Sequence, residues 1–312
     1  MRQNRYFRIK FNRCSETANA IFKARRHLKQ VIMKYTISED DLITLKKAKF
    51  DMEKLNWTIR VVNIAGNSLE AGVKKIPQKY LQIIETVTQK ALLGIIKTNL
   101  LTISKKRKIS KPSRNTYKAI VTGSGAISGF FGTTSGYGTA IFISEITITT
   151  KFLMRAIMDI ARSEGEDIYS LEGQLECLQV FALGGQSKDD DGTETSYYVT
   201  RSALSSSLKK ISASGLKKAI NTIVKSVSVM GSNAITVFIS KIATRLSILI
   251  TEKFVAQAVP VIGAIGGGSL NFVFVNHFQK MAKAHFSIRR LEGKYGQDIV
   301  KNAYEEIKTD KI

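Results

Sequence analysis

Two long segments without a charged residue constrain the fold of this chain more than any other feature. Residues 119–144 lack Asp, Glu, Lys and Arg over 26 positions, of which 14 are Gly, Ser or Thr. Residues 254–276 are uncharged over 23 positions, of which eleven are strongly apolar, but Pro260 interrupts them among glycines. Each segment is long enough to span a bilayer, yet the first has low hydrophobicity and the second predicts two short helices with a bend. We therefore expect buried or interfacial helices rather than simple lipid-exposed spans.

Small residues recur four positions apart in these segments, a spacing that lets two helix backbones approach closely. The pattern predicts helix pairs near 119–144 and 254–276. The glycines expected at these contacts are Gly125, Gly129, Gly263 and Gly267.

The remainder of the chain predicts an all-α, multi-helix bundle, because apolar residues follow a helical period and few convincing strands are visible. Ser38 is a predicted N-cap, with three acidic residues in the first turn of a helix that runs toward Arg60. Pro77 is placed at the start of the next helix. Further helices are predicted at 146–163, 171–183 and 197–208, from 215 to about 251, and from about His277 to the end.

Charge is unevenly distributed along the chain, which has a formal net charge of +23. Residues 1–118 contain 27 basic and 8 acidic side chains, whereas 119–312 contain 21 and 17. Residues 4–34 predict a basic amphipathic helix, and a polybasic run follows near residue 105. This asymmetry predicts an anionic partner, either nucleic acid or an anionic membrane surface. The amphipathic helix and the polybasic run beside an apolar segment favour anionic membrane lipids. The residues expected to bind anions are Arg5, Arg8, Arg13, Lys105, Lys106, Arg107 and Lys108.

Alternatives for the N-terminal third stay open. The basic helix could pack on the protein's own core, and its composition also resembles a mitochondrial presequence. Nucleic-acid binding through residues 1–118 is a weaker alternative, because no recognisable DNA- or RNA-binding motif accompanies the charge.

Catalytic residues are sparse in this sequence. No zinc-protease, nucleophile-elbow or Walker A motif is present, and the two cysteines form no metal-ligand set. His277 and His285 are eight residues apart, so they can share one helix face, but this is not zinc-ligand spacing. Cys177 lies in an apolar helix and is expected to be an inert buried thiol. We expect no metal and no cofactor.

A set of polar residues adjoins the apolar helices. Two interpretations stay open: an internal cluster that recognises a head group or a partner, or ion pairs that lock helices in register. The second is favoured. The residues of this predicted polar cluster are Arg155, Asp159, Lys253, Asn271, His277, Arg289 and Glu292.

Three separate blocks resemble the EcsC family: TTKFLMRAIMDIARSEGED at 149–167, LECLQVFALGG at 175–185, and the long block at 253–296. The resemblance covers roughly residues 75–305. It implies a helical fold in a membrane-linked context, since the family takes its name from a protein encoded beside an ABC transporter. We therefore divide the chain into a basic N-terminal helical region, 1–74, and an EcsC-like helical domain, 75–312.

These patterns together predict a non-catalytic helical protein, peripheral to the cytoplasmic face of the inner membrane. The expected partners are anionic lipids, and a membrane protein in a transport or secretion context. An alternative function is a hydrolase acting on lipid or peptide, with His277 as its base.

Overall fold

In the computed structural model, eight α-helices and no strand are found within the described residues, which confirms the all-α class. The described residues are 37–53, 76–102, 116, 118–119, 138–183, 197–206, 234–258 and 267–307. The helices are α1 (Glu39–Glu53), α2 (Gln78–Thr102), α3 (Gly138–Ser163), α4 (Leu171–Gln179), α5 (Tyr197–Ser205), α6 (Ala234–Ala258), α7 (Gly267–Tyr295) and α8 (Gln297–Glu306). A 3-10 turn, Val180–Ala182, extends α4.

Local chemistry sets the start of several helices. The Asp41 N–H donates to Ser38 Oγ over 3.4 Å, so Ser38 caps α1 as predicted. Helix α2 begins one residue after Pro77, as its fixed φ favours. Ser170 caps α4 by accepting from the Gly173 N–H at 3.0 Å.

The turn between α3 and α4 depends on two glycines. Gly165 has φ +92°, a left-handed conformation that side chains other than glycine rarely adopt. At Gly173, a Cβ atom would lie 2.1 Å from the Asp167 carbonyl oxygen, so only glycine fits there without movement of the backbone. This turn holds Glu164 and Glu166 on either side of Gly165.

The chain divides into two compact units. The first comprises Met1–Lys46 with Leu291–Ile312, and the second comprises Lys47–Arg290. In the second unit α2 packs against α3 and α6, and α6 also contacts α5 and the 3-10 turn. Its core includes fully buried aromatic and aliphatic side chains of α3, the 3-10 turn, α6 and α7, namely Leu153, Ile157, Phe181, Phe238 and Phe278. The predicted division at residue 75 stays a prediction.

The second uncharged segment contains the end of α6 and the start of α7, so two helices enter it as predicted. They are long rather than short, with 25 and 29 residues. The expectation of a separate helix from His277 is wrong, because α7 runs unbroken from Gly267 to Tyr295. No proline interrupts this range, and the helix ends where Gly296 takes φ +91°.

Part of the first uncharged segment is helical as well. Helix α3 begins at Gly138, eight residues before the predicted start. Gly125, Gly129 and Gly263 lie outside the described residues, and Gly267 is the first residue of α7. Of the helices that the structure describes, none combines the length and apolar character needed to cross a bilayer.

Candidate functional site

Charged side chains from several elements surround Arg289 on α7. Its guanidinium binds Glu166 through two hydrogen bonds, Nε to Oε2 at 2.8 Å and Nη2 to Oε1 at 3.0 Å. Nη2 also donates to Glu172 Oε1 at 3.1 Å, and Nη1 lies 3.1 Å from Glu176 Oε1. One guanidinium thus joins α7 to α4 and to the turn before it. We define the Arg289 cluster as Glu166, Glu172, Glu176, Tyr197, Arg201, His285 and Arg289.

Helical spacing presents most of this cluster in pairs. Glu172 and Glu176 on α4, Tyr197 and Arg201 on α5, and His285 and Arg289 on α7 are each four residues apart, so each pair shares one helix face. Two carboxylates at this spacing repel each other on an isolated helix. Their placement is therefore explained by cations from another element.

His285 is fully buried inside the cluster. Its Nδ1 lies 2.9 Å from the Tyr197 hydroxyl, and its Nε2 lies 3.0 Å from Glu176 Oε2. The second contact is close but poorly aligned for a hydrogen bond. We assign the proton to Nε2, which faces the carboxylate, so that Nδ1 accepts from Tyr197.

Burial and charge act in opposite directions on the two titratable partners. Desolvation and the neighbouring Arg201 and Arg289 lower the pKa of His285 below its usual 6.5, although Glu176 favours its protonation. Desolvation raises the pKa of Glu176, but His285, Arg289 and Arg201 outweigh it and hold that pKa well below its ordinary value. Since both arginines stay charged, we assign a neutral imidazole beside an ionised carboxylate.

The side chains of the cluster differ in how far they are exposed to solvent. The side chain of Glu172 is 75% exposed, whereas those of Glu166 and Arg289 are 15% exposed and that of Glu176 is 10%. Cys177 is buried next to Glu176, and desolvation raises the pKa of its thiol, so it stays protonated and inert. With His285 neutral, three carboxylates face two guanidiniums, and these contacts tie α4, α5 and α7 together.

A second ion pair joins α3 to α6. Lys253 Nζ lies 2.7 Å from Glu145 Oε1, and both side chains are only 5% exposed. The same ammonium lies 5.2 Å from the centroid of the Phe274 ring on α7. Lys253 was predicted as part of one polar cluster with Arg289, but Arg289 follows Phe274 by 15 residues on the same helix, about 22 Å along its axis. The two residues belong to separate clusters.

Glu164 receives several donors from α7. Lys283 forms an ion pair with its Oε1, while Ser287 Oγ and Arg290 Nε each lie 3.2 Å from its Oε2. Desolvation opposes ionisation of this carboxyl, but Lys283 and Arg290 lower its pKa overall. This contact adds a further connection between the end of α3 and α7.

In the first unit, the carboxylate of Asp41 accepts from Lys294 Nζ and from the Tyr295 hydroxyl, each at 2.7 Å. These hydrogen bonds lower the pKa of Asp41 to about 2. The start of α1 is thereby attached to the last turn of α7.

The other residues of the predicted polar cluster lie on α3 and α7. Asn271 and His277 are buried on α7, with 0% and 1% exposure, and Asp159 is buried on α3, 3.9 Å from Arg162. Arg155 and Glu292 are half-buried. Whether these residues form one recognition site stays a prediction.

The predicted anion-binding residues, Arg5, Arg8, Arg13, Lys105, Lys106, Arg107 and Lys108, lie outside the described residues. Conversely, sequence reasoning placed neither Glu166, Glu172 and Glu176 nor Tyr197 and Arg201 in any site. The carboxylates of α4, repeated four residues apart, were the signal available for part of this set. Within the described residues, no group of His, Cys, Asp and Glu is arranged to hold a metal ion.

Comparison with known proteins assigns a family. The sequence profile of the EcsC protein family matches residues 39–291, a range that starts earlier than the resemblance noted from the three blocks. No match was found among curated proteins or among solved structures. The matched range contains the Glu145–Lys253 pair and the complete Arg289 cluster. Because it covers most of the chain, this protein belongs to the EcsC protein family.

Proposed function

We propose that this protein is a non-catalytic, peripheral membrane protein that binds an anionic bilayer surface through its N-terminal third. The observation that carries the proposal is the charge distribution, a net +19 over residues 1–118 against +4 over residues 119–312. Basic residues near an anionic membrane each contribute up to about 1 kcal/mol, so partial engagement of such a region suffices for binding. A membrane protein of a transport or secretion system is the protein partner that we propose.

The buried ion pairs of the second unit support assigning the electrostatic part of lipid binding to residues 1–118, because these internal charges are already paired. Glu145, Glu164 and Glu176 are each neutralised by cations of the same unit. Arg289, Lys253 and Lys283 are correspondingly engaged by internal carboxylates. These interactions are those expected of helix locks, because opposite charges buried together offset part of their desolvation cost. The basic excess that remains for an anionic surface lies in residues 1–118.

Binding of the full chain to vesicles tests the proposal. We expect the protein to bind vesicles containing phosphatidylglycerol, and binding to fall steeply from low to physiological salt, because exposed charges are screened. Combined Arg5→Glu and Arg8→Glu substitutions should weaken this binding. A control of equal charge change is Lys241→Glu with Lys301→Glu, at two exposed lysines of α6 and α8.

The control variant should bind nearly as well as the wild-type protein. Equal binding to neutral phosphatidylcholine vesicles, or no binding to either kind, would contradict the proposal. Binding by the Arg5 and Arg8 variant as strong as wild type would assign the basic helix to the core or to a protein partner instead.

A further inference from the structure

The residues that bracket both uncharged segments meet at one end of the second unit. Lys118, the last charge before residues 119–144, donates to Asn276 Oδ1 at 2.9 Å, and Asn276 ends the segment 254–276. Glu145 and Lys253 bracket the other two ends and form the buried ion pair described above. Lys253 Nζ also lies 5.2 Å from the centroid of the Phe274 ring, two residues before Asn276, so both contacts lie beside the first turns of α7.

Helix α2 brings the exposed ring of Tyr80 to the same end of the unit. Thr244 Oγ1 donates to Glu85 Oε1 at 2.8 Å, and Gln89 Nε2 donates to Ser240 Oγ at 2.9 Å. From Glu85 to Gln89 the chain advances four residues along α2, while the contacted residue on α6 moves back four, from Thr244 to Ser240. The two helices are therefore antiparallel. At equal rise per residue, this register brings Tyr80, near the start of α2, level with Leu249 on α6, about one turn before Lys253.

Exposed apolar side chains are concentrated at this end. Tyr80, Ile148 and Phe272 are 42%, 45% and 45% exposed. Tyr80 and Phe272 lie in the first two turns of α2 and α7, and Ile148 follows the paired Glu145 by three residues on α3. The other large exposed apolar residues described in this unit, Val199 and Val237, lie on α5 and at the start of α6.

Basic charge accompanies these side chains. Lys118 Nζ lies 4.9 Å from the centroid of the Phe272 ring, and Lys79 is exposed beside Tyr80. Glu252 is half-buried at the same end, and Glu145 is already paired with Lys253. Aromatic rings next to lysines are typical of side chains at the interface between bilayer and water.

We propose that this apolar end, defined by Tyr80, Lys118, Ile148 and Phe272, inserts into the interfacial layer of an anionic bilayer. The rings and Ile148 enter the acyl boundary, while Lys118 contacts lipid phosphates. This proposal rests on the proposed function and adds the surface that faces the membrane. A bilayer is favoured over a protein partner because each exposed ring lies beside a lysine, Phe272 beside Lys118 and Tyr80 beside Lys79, as is typical of side chains at the interface between bilayer and water.

The test uses the full chain and vesicles of phosphatidylglycerol with phosphatidylcholine. Phe272→Ser should reduce the partition coefficient about tenfold, because a ring that enters the acyl region is replaced by a polar side chain. The loss should persist at high salt, since the apolar contribution is not screened. Val237→Ser is the matched control, because Val237 is 43% exposed at the far end of α6, and it should bind like wild type.

Each outcome decides the proposal. If Phe272→Ser binds vesicles as well as the wild type, or if Val237→Ser loses as much binding, the proposal that the apolar end inserts into the bilayer is wrong. The proposed function then still stands. Failure of the wild-type protein to bind anionic vesicles overturns both. If Phe272→Ser only converts a dimer to a monomer and leaves vesicle binding unchanged, the surface is an interface between two copies. Circular dichroism checks folding, and Ile148→Ser decides the matter if Phe272→Ser does not fold.

Discussion

The Glu145 carboxylate and the Lys253 ammonium, 108 residues apart in sequence, form an ion pair of 2.7 Å in the interior of the second unit. Glu145 is the first charge after one uncharged segment, and Lys253 is the last charge before the other. The pair fixes α3 against α6 at the place where both segments begin or end. Its energetic role follows from its burial, because either charge left alone would be strongly destabilising.

Removing one partner of this pair should destabilise the fold. We expect Lys253→Met to lower the free energy of unfolding by about 3–5 kcal/mol, because Glu145 stays buried without its cation. The double variant Glu145→Leu with Lys253→Met should recover most of this loss. Urea denaturation followed by circular dichroism measures the difference, with Lys151→Met on the exposed surface of α3 as the control. A single variant as stable as the control would show that the pair is not a lock.

Stability should depend on pH through His285. Its folded-state pKa is lowered, so below pH 6.5 the unfolded chain binds a proton that the folded chain does not. Stability is therefore complete above pH 6.5 and decreases as the pH falls toward the folded-state pKa, by at most about 1.4 kcal/mol per pH unit.

His285→Gln should flatten this slope between pH 6.5 and 5, as measured by denaturant midpoints across pH. The lowered pKa of Glu176 acts in a different window, since its contribution is present above about pH 4.5 and is lost only below it. A slope that is the same in wild type and His285→Gln would contradict the assignment of a neutral imidazole.

Two glycine substitutions should have opposite effects. Gly173→Ala would place a Cβ atom 2.1 Å from the Asp167 carbonyl oxygen, so we expect a loss of at least about 1–3 kcal/mol. Gly94→Ala, in the exposed middle of α2 with no atom within 4 Å of the added Cβ, should stabilise by up to about 1 kcal/mol. Thermal melts of the two variants compare them directly. Equal melting temperatures would contradict the close approach at Gly173.

His277 should be structural. Its side chain is buried on α7, with its ring 5.2 Å from that of Phe278, so His277→Ala should destabilise by roughly 1–3 kcal/mol. Binding to anionic vesicles, measured below the melting temperature, should be retained. A hydrolase with His277 as its base would instead give a stable variant that has lost activity, and that result would favour the alternative function.

The helices were largely predictable from local sequence. Ser38, Pro77 and Gly165 mark helix ends through capping, a fixed φ and a left-handed φ, all of which act within a few residues. Helix α7 is the exception, because the change from uncharged to charged sequence at His277 predicts a boundary, whereas the helix is continuous there. A change of composition does not end a helix when its backbone hydrogen bonds continue.

The sequence by itself determined the all-α class, most helix positions, the uneven charge and the family. Only the tertiary structure decided which charges meet. The ion pairs join residues that are more than a hundred positions apart in the sequence. They are Glu145 with Lys253, and Arg289 with Glu166, Glu172 and Glu176. Helical periodicity assigns each side chain to a face of its own helix, because the period depends on near neighbours. The facing helix and its register follow from the packing of the whole core, which brings distant faces together.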